Sequence, residues 1–431
     1  MVPALIGFAA LLALCFIGFR VGFATLVVGF VGFALERGWE ASLAMVGQQV
    51  LHDSMNYNLS VIPLFVLMGV LIVHAQISKD LYDAAYGALG RFRGGLALAT
   101  VLAAGGFSAV CGSTLATAAT MSKVAMPPMR NYKYSDQIAS GTIAAGGTLG
   151  IMIPPSVPLV IYGLIAEQDI GLLFIAGILP GLLLVTLFLV AVGITVRRNP
   201  LAAPAAPPLD PGRRKAAVRG TMPVLVLFLV VLGGIYTGAF TATEAAGIGS
   251  FGSAVIAVSR GHLRSFTEWR DCLVDATNTT ATIFIVLLGA IVFSQFINLS
   301  GLPYDLLDLI DEWELTSFQL VIFICIIAIL MGMVFEAIGI LVLLVPVFLP
   351  VLMINGVDMI WFGILIVLVS EIGLITPPIG MNVFVVKSVL PDVRLGAIFR
   401  GVLPYIAALV FALVLVLMVP DIATFLPNLM R

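Results

Sequence analysis

Gly150-Ile151-Met152-Ile153-Pro154-Pro155 returns later in the chain as Gly373-Leu374-Ile375-Thr376-Pro377-Pro378. The offset is 223 residues, from Pro154 to Pro377, and it also carries Gly112-Ser113-Thr114 onto Phe335-Glu336-Ala337 and Pro127 onto Pro350. Each Pro-Pro pair interrupts an apolar run long enough to cross a membrane. Proline lacks an N–H and clashes with the preceding turn, so each pair is expected to break its helix. Broken hydrophobic segments at corresponding places in two halves point to a transporter-type binding site.

Of the 431 residues, 61% are hydrophobic and only 10% charged, against roughly 25% charged in a soluble domain. Apolar runs near or above about 18 residues recur along the whole length, which implies a polytopic helical membrane protein. These runs do not alternate, so a β-barrel is excluded. The one clear linker is 197–220, rich in Pro, Ala and Arg. The apolar runs 4–19 and 21–35, separated by Arg20, read as two retained helices, because a signal peptide needs the opposite charge order. Cys15, Cys111, Cys272 and Cys325 are far apart and read as small apolar residues. His52, His74 and His262 are isolated. No basic-aromatic stripe offers a nucleic-acid surface.

The basic patches are Arg91/Arg93, Arg130/Lys133, Arg197–Arg219, Arg260–Arg270 and Lys387–Arg400. The positive-inside rule places them in the cytoplasm. Residues 36–58 and the acidic stretch Asp305–Glu314 then lie outside. Residues 78–93 read as an amphipathic cytoplasmic arm. Both ends of 95–128 are basic, and its two arms of about 15 residues fall short of the ~20 needed to span. We read it as a re-entrant hairpin with its tip at Cys111–Thr114. Residues 137–165 form the first broken segment. Residues 316–354 form the second hairpin, entering from the opposite face, and 359–386 the second broken segment. The fold class expected is therefore all-α and polytopic, with an inverted repeat, two re-entrant hairpins and two broken helices. Its parts are scaffold helices and arm (1–94), first hairpin and broken helix (95–196), cytoplasmic linker (197–220), further scaffold and arm (221–315), and second hairpin and broken helix (316–431). The C-terminus ends outside.

Irregular backbone at membrane depth is tolerated only where protein or a cavity satisfies it. Carbonyls at the end of a first half-helix suit a small hard cation, and N–H groups at the start of the next suit an anion. Packing of small residues would explain any one Gly, Ser or Thr here, but not a Pro-Pro break in both halves. Glu336 and Glu371 are costly carboxylates in membrane segments. Glu336 could equally cap the second hairpin arm, and Glu371 could serve the ion site or brace the loop. Lys123 could snorkel to the surface.

The run Gly146–Ser156, with Ile175–Gly181, Val61–Gly69, Gly234–Gly238, Thr241–Ala245 and Thr376–Asn382, resembles the large membrane subunit of TRAP (tripartite ATP-independent periplasmic) transporters. The likeness runs in order from about residue 55 to the end. It implies a bacterial inner-membrane secondary transporter working by an elevator motion. Two or more sodium ions would be coupled to uptake of a small organic anion, a carboxylate such as a dicarboxylate or an acidic sugar such as sialic acid. It implies no organic cofactor and no catalytic residue. The implied partners are a periplasmic substrate-binding protein, a small four-helix membrane subunit expected as a separate polypeptide, and membrane lipid. Carried over to this chain, the ion sites are Ser113, Thr114, Gly147, Gly150 and Ile153 on one side, and Gly339, Gly373, Thr376 and Gly380 on the other. Substrate would meet Ser108, Gly112, Thr114, Pro154, Pro155, Ser156, Glu336, Ala337, Pro378 and Asn382.

Three other functions make different demands on the chain. A stand-alone symporter or exchanger of related fold would need no binding protein. An intramembrane enzyme would need a nucleophile–base pair or metal ligands at depth, and neither pattern occurs. A passive channel would need a continuous polar stripe, whereas these polar residues cluster at the midplane.

Overall fold

The computed structural model describes residues 2–430. The chain begins with α1 (Val2–Ile17), α2 (Val21–Arg37) and α3 (Trp39–Ser54). Then come α4 (Val61–His74), α5 (Ile77–Leu89), α6 (Gly95–Cys111), α7 (Thr114–Asn131), α8 (Asp136–Met152), α9 (Val157–Ile165) and α10 (Ile170–Arg198). After the linker come α11 (Pro211–Tyr236), α12 (Ala242–Ser259), α13 (Phe266–Leu299) and α14 (Leu302–Glu312). The chain closes with α15 (Ser317–Gly332), α16 (Ala337–Ile354), α17 (Met359–Ile375), α18 (Met381–Val389), α19 (Leu395–Met418) and α20 (Asp421–Asn428). No strand occurs among the described residues. Seven helical stretches there are long and apolar enough to cross a membrane.

The 223-residue offset is structural as well as sequential. It superposes the ends of α7 on those of α16, and the ends of α8 on those of α17. The N-caps match too. Ser135 accepts from the Ile138 N–H at 3.3 Å, and Asp358 from the Ile360 and Trp361 N–H groups at 2.8 and 2.9 Å. Both Pro-Pro bonds are cis. α5 precedes the first hairpin as α14 precedes the second.

α8 and α17 form the centre: every residue of α17, and α8 from Ile138 onward, is buried. A helix apolar on all sides belongs in such a place. α8 achieves close packing with Gly, Ala, Ser and Thr, whereas α17 fills space with Ile, Leu and Val. α6 and α7 pack on α8, α15 packs on α17, and α19 crosses to α8 of the other repeat. A second group joins α2 to α13, α4 to α12, and α11 to α5 and α12.

Several sequence boundaries move. The hairpin arms run 16 to 18 residues rather than about 15, and the Ser113 and Thr316 side chains cap the starts of α7 and α15. α16 alone is long enough to span. Half of the linker 197–220 is helical, since Asp210 accepts from the N–H groups of Gly212 and Arg213 and starts α11 early. The remainder is docked: Ala202 and Ala203 accept from Ser135 and Gly94, and the Ala206 N–H donates to Gly90. α13 begins at Phe266, eight residues before the apolar run at 274, behind a Ser265–Glu268 capping box. The segment 36–58 holds α3, and α20 follows the last span.

Candidate functional site

Each proline pair removes two donors from a helical ladder, so the carbonyls four residues earlier lose their partners. These are Gly150 and Ile151 at the first break, and Gly373 and Leu374 at the second. Ser156 recovers one by donating its Oγ–H to Ile151 O at 2.5 Å. It also accepts from the Leu159 N–H at 3.4 Å, so one hydroxyl both closes the break and caps α9. At the second break, the Thr376 N–H donates to Gly373 O at 3.1 Å. The Thr376 hydroxyl donates to Ile372 O at 2.5 Å.

The first hairpin tip is seated on the first break. Gly112 turns the chain at φ 62°, a conformation glycine reaches without Cβ cost. Ser113 Oγ then accepts from the Ala116 N–H at 3.4 Å and starts α7. A β-carbon at Gly150 would stand 3.0 Å from the Ser113 carbonyl. One at Gly147 would stand 3.2 Å from Thr114 O and 3.2 Å from Asn382 Nδ2. Ser108, Gly112, Thr114, Pro154, Pro155 and Ser156 are all buried here, and Ile153 is half-buried. The Ser108 hydroxyl faces that of Thr117 at 3.5 Å.

The second tip is arranged differently. Gly373, the counterpart of Gly150, meets Gly332 on α15, with a β-carbon position 2.4 Å from its Cα. Gly339 faces Phe335 and Val21 of α2 instead of the second break. Glu336 occupies the N-cap position of α16 but makes no side-chain cap, so the capping role considered for it is not realised. Its side chain is exposed, as are Pro377 and Pro378, whereas Ala337 is buried. The first hairpin meets its break through Ser113 at Gly150, and the second through Gly332 at Gly373. Gly380 turns into α18 at φ 63°.

The short half-helices swap between repeats. α9 packs against α16, and α18 against α7 and α8. Asn382 Nδ2 donates to Ala144 O at 3.4 Å, reaching from α18 to the helix before the first break. Tyr162 of α9 donates to Met359 O at 2.5 Å. Asn382 Oδ1 and both Glu371 oxygens are buried without hydrogen-bond partners among the described residues. Thr148, at the position equivalent to Glu371, bonds Ala145 O at 2.8 Å instead.

The oxygen set suits a hard cation: carbonyls freed by proline, with Ser113, Thr114 and Thr376 beside them. The sequence did not point to Gly332 or Tyr162. A single phenol in an otherwise apolar nine-residue helix was the available signal for Tyr162. It also missed a cavity of about 1360 Å³ toward the C-terminal ends of α3, α9, α13 and α16. Polar residues at helix ends carry no pattern that would reveal one.

A sequence model described as "Tripartite ATP-independent periplasmic transporter, DctM component" matches residues 5–422. The chain is 34% identical over 387 residues to the C4-dicarboxylate TRAP transporter large permease protein DctM of Pseudomonas aeruginosa, covering 90% of each. It is 32% identical to the sialic acid TRAP transporter large permease protein SiaM of Vibrio cholerae, covering 97% of each. Its fold is similar to that of the YdaH transporter of Alcanivorax borkumensis, with a TM-score of 0.66 at 15% identity over 96% of this chain and 97% of that one.

Proposed function

The chain belongs to the DctM-component family of tripartite ATP-independent periplasmic transporters, the TRAP large permeases, and from that premise we propose that it performs sodium-coupled uptake of a small organic acid across the bacterial inner membrane. A periplasmic binding protein delivers the solute, and a small four-helix subunit completes the membrane complex. The C-terminus lies outside and the linker 197–220 inside. The DctM and SiaM relatives carry carboxylate solutes in their names, which supports a carboxylate or acidic sugar here.

The observation that carries this reading is the unequal pair of tips. Ser113 is closed on Gly150, while Glu336, Pro377 and Pro378 stand exposed. A repeat whose halves hold different conformations is what alternating access requires. The travelling body is residues 95–196 and 316–431. The fixed body is residues 1–94 and 221–315. The cavity at the outer end lies between helices of the two bodies, and gives the moving one room. Ser113, Thr114 and the carbonyl of Gly150 would hold one cation, with Gly373, Thr376 and Gly380 holding another. Bound sodium would supply positive charge beside the solute carboxylate. The N-termini of α9 and α18 orient that carboxylate, and Asn382 holds the two breaks together.

The test is co-reconstitution with the small subunit and the binding protein, using a carboxylate chosen by thermal-shift screening on the binding protein. Uptake is expected only with all three components and an inward sodium gradient, and not with choline in its place. Uptake by the chain alone would instead establish a stand-alone symporter.

A further inference from the structure

The first hairpin tip touches more than its own break. Its consecutive residues Cys111 and Gly112 meet partners in different parts of the molecule. A β-carbon at Gly112 would stand 3.1 Å from Pro155 O, at the break. A β-carbon at Gly69 of α4 would stand 2.8 Å from the Cys111 carbonyl oxygen and 3.5 Å from its Cα. α4 therefore carries a notch where a side chain is missing, and the backbone of the tip lies in it. One turn earlier on α4, Phe65 meets Phe174 of α10 edge to face, with ring centroids 5.4 Å apart.

α4 is itself held from a neighbouring face. Ser250 of α12 donates to Leu64 O at 2.6 Å, and Met68 lies against Gly249 of α12. Leu64 and Met68, four residues apart, share one face of the helix, and Phe65 and Gly69 share the next. The 223-residue offset carries Gly69 onto Val292 of α13. There the chain lies against α2, with the Val292 carbonyl carbon 2.8 Å from a β-carbon position at Gly29. The second repeat thus puts a branched residue, covered by α2, where the first has its notch.

We propose that Gly69 is a positioning residue for transport: with Phe65 it forms the seat on α4 where the first hairpin docks in one conformation and from which it lifts in the other. This rests on the transport reading above, in which α4 belongs to the fixed body and the hairpin and α10 to the travelling one, and it names the contact between them. Gly69 is met by backbone, so the seat sets the position of the tip whatever side chain Cys111 carries. A seat that must be left again has to hold weakly, and one ring pair with van der Waals contacts does so.

The test reads the two bodies against each other. Cys15→Ala, Cys111→Ala, Cys272→Ala and Cys325→Ala clear the full chain of thiols and leave the Cys111 backbone in place. Spin labels are then set at Asn131→Cys on α7 and Thr279→Cys on α13, both exposed positions. Pulsed dipolar spectroscopy in lipid nanodiscs gives the share of molecules at the distance of this structure. Gly69→Ala should lower that share, relative to all other distances, at least about fivefold, because the added methyl group overpacks the docked state alone. Phe65→Leu removes the ring pair without adding bulk and should lower it about twofold or more. Gly247→Ala, whose β-carbon would meet nothing within 4 Å, should leave it unchanged. An unchanged distribution in both Gly69→Ala and Phe65→Leu, or an equal shift in Gly247→Ala, would overturn the proposal. So would the absence of this distance when neither α4 residue is substituted. The expected shifts in a complex that shows no sodium-driven uptake would uphold the seat and sink the sodium-coupled reading.

Discussion

Tyr162, in the short helix after the first break, donates its hydroxyl to the carbonyl of Met359, at the start of the buried helix before the second. The contact spans 197 residues of sequence and joins one repeat to the other at 2.5 Å. Tyr162→Phe should therefore destabilise the fold by about 0.5–1.5 kcal/mol, the net worth of a buried hydrogen bond. Thermal unfolding in lipid nanodiscs measures this. An unchanged midpoint would show that the bond contributes nothing.

Gly150 has no room for a branched side chain, since a β-carbon would already stand 3.0 Å from Ser113. Gly150→Val should part the first tip from its break. Overpacking of this kind costs about 1–3 kcal/mol, and uptake should fall at least about tenfold. Gly339→Val serves as a contrast, because its β-carbon would make only ordinary contacts at 3.5 Å and beyond. Equal losses from both would contradict the different seating of the two tips.

Glu371 is a fully buried carboxyl with neither oxygen paired among the described residues. Replacing an unsatisfied buried polar group with an apolar one of similar shape relieves about 1–3 kcal/mol. Glu371→Met should raise the unfolding temperature while lowering uptake. A variant that loses stability would mean that the carboxyl has a bonding partner in the working protein.

Arg213 grips Asp83 with three hydrogen bonds of 2.9 to 3.1 Å, fastening α11 to α5. The Asp83 side chain is only 9% exposed, but that of Arg213 is 56% exposed. Solvent screening therefore weakens the pair relative to a buried one. Arg213→Ala should cost about 1–2 kcal/mol, mostly from leaving Asp83 unpaired. Asp83→Asn with Arg213→Ala should cost less than the two single changes added together, and additivity would refute the coupling.

Arg130 bridges Asp136 at 3.0 Å and Asp392 at 2.5 Å, tying the end of the first hairpin to the loop before α19. The hydrogen bond from Arg130 holds the Asp392 carboxyl below the usual aspartate range. Glu268 is likewise held low, first by the Ser265 N–H and then by that of Arg264. A depressed carboxylate contributes stability above its ordinary value of about 4, and loses that contribution as pH falls through the folded value. Acidification across that window should lower the unfolding temperature. Asp392→Asn and Glu268→Gln should flatten the slope, and an unchanged slope in the double variant would count against both.

Much of this was legible in the chain itself. The two proline pairs fixed where the helices break, because no other residue removes a donor and collides with the preceding turn. Ser113, Ser135 and Asp358 cap helix starts in the structure, and although such residues accept a backbone N–H readily, no helix start had been read from them. What stayed hidden were the approaches between distant segments. Gly332 against Gly373, and Tyr162 against Met359, follow from how two halves wrap each other, and no local spacing encodes that. The early start of α11 was obscured by the proline-rich composition around it, although Asp210 before Pro211 is itself a capping signal.

The sequence by itself determined that this is a twofold-repeated, many-helix membrane protein with paired breaks, since hydropathy and proline act locally and leave the backbone few choices. Only the tertiary structure decided that the equivalent tips are seated differently, and that the cavity beside α3 and α9 has an acidic wall with no lysine or arginine among its described residues. Both depend on which surfaces meet after folding. Packing between segments hundreds of residues apart is set by shape and burial across the whole molecule, and one line of residues does not carry it.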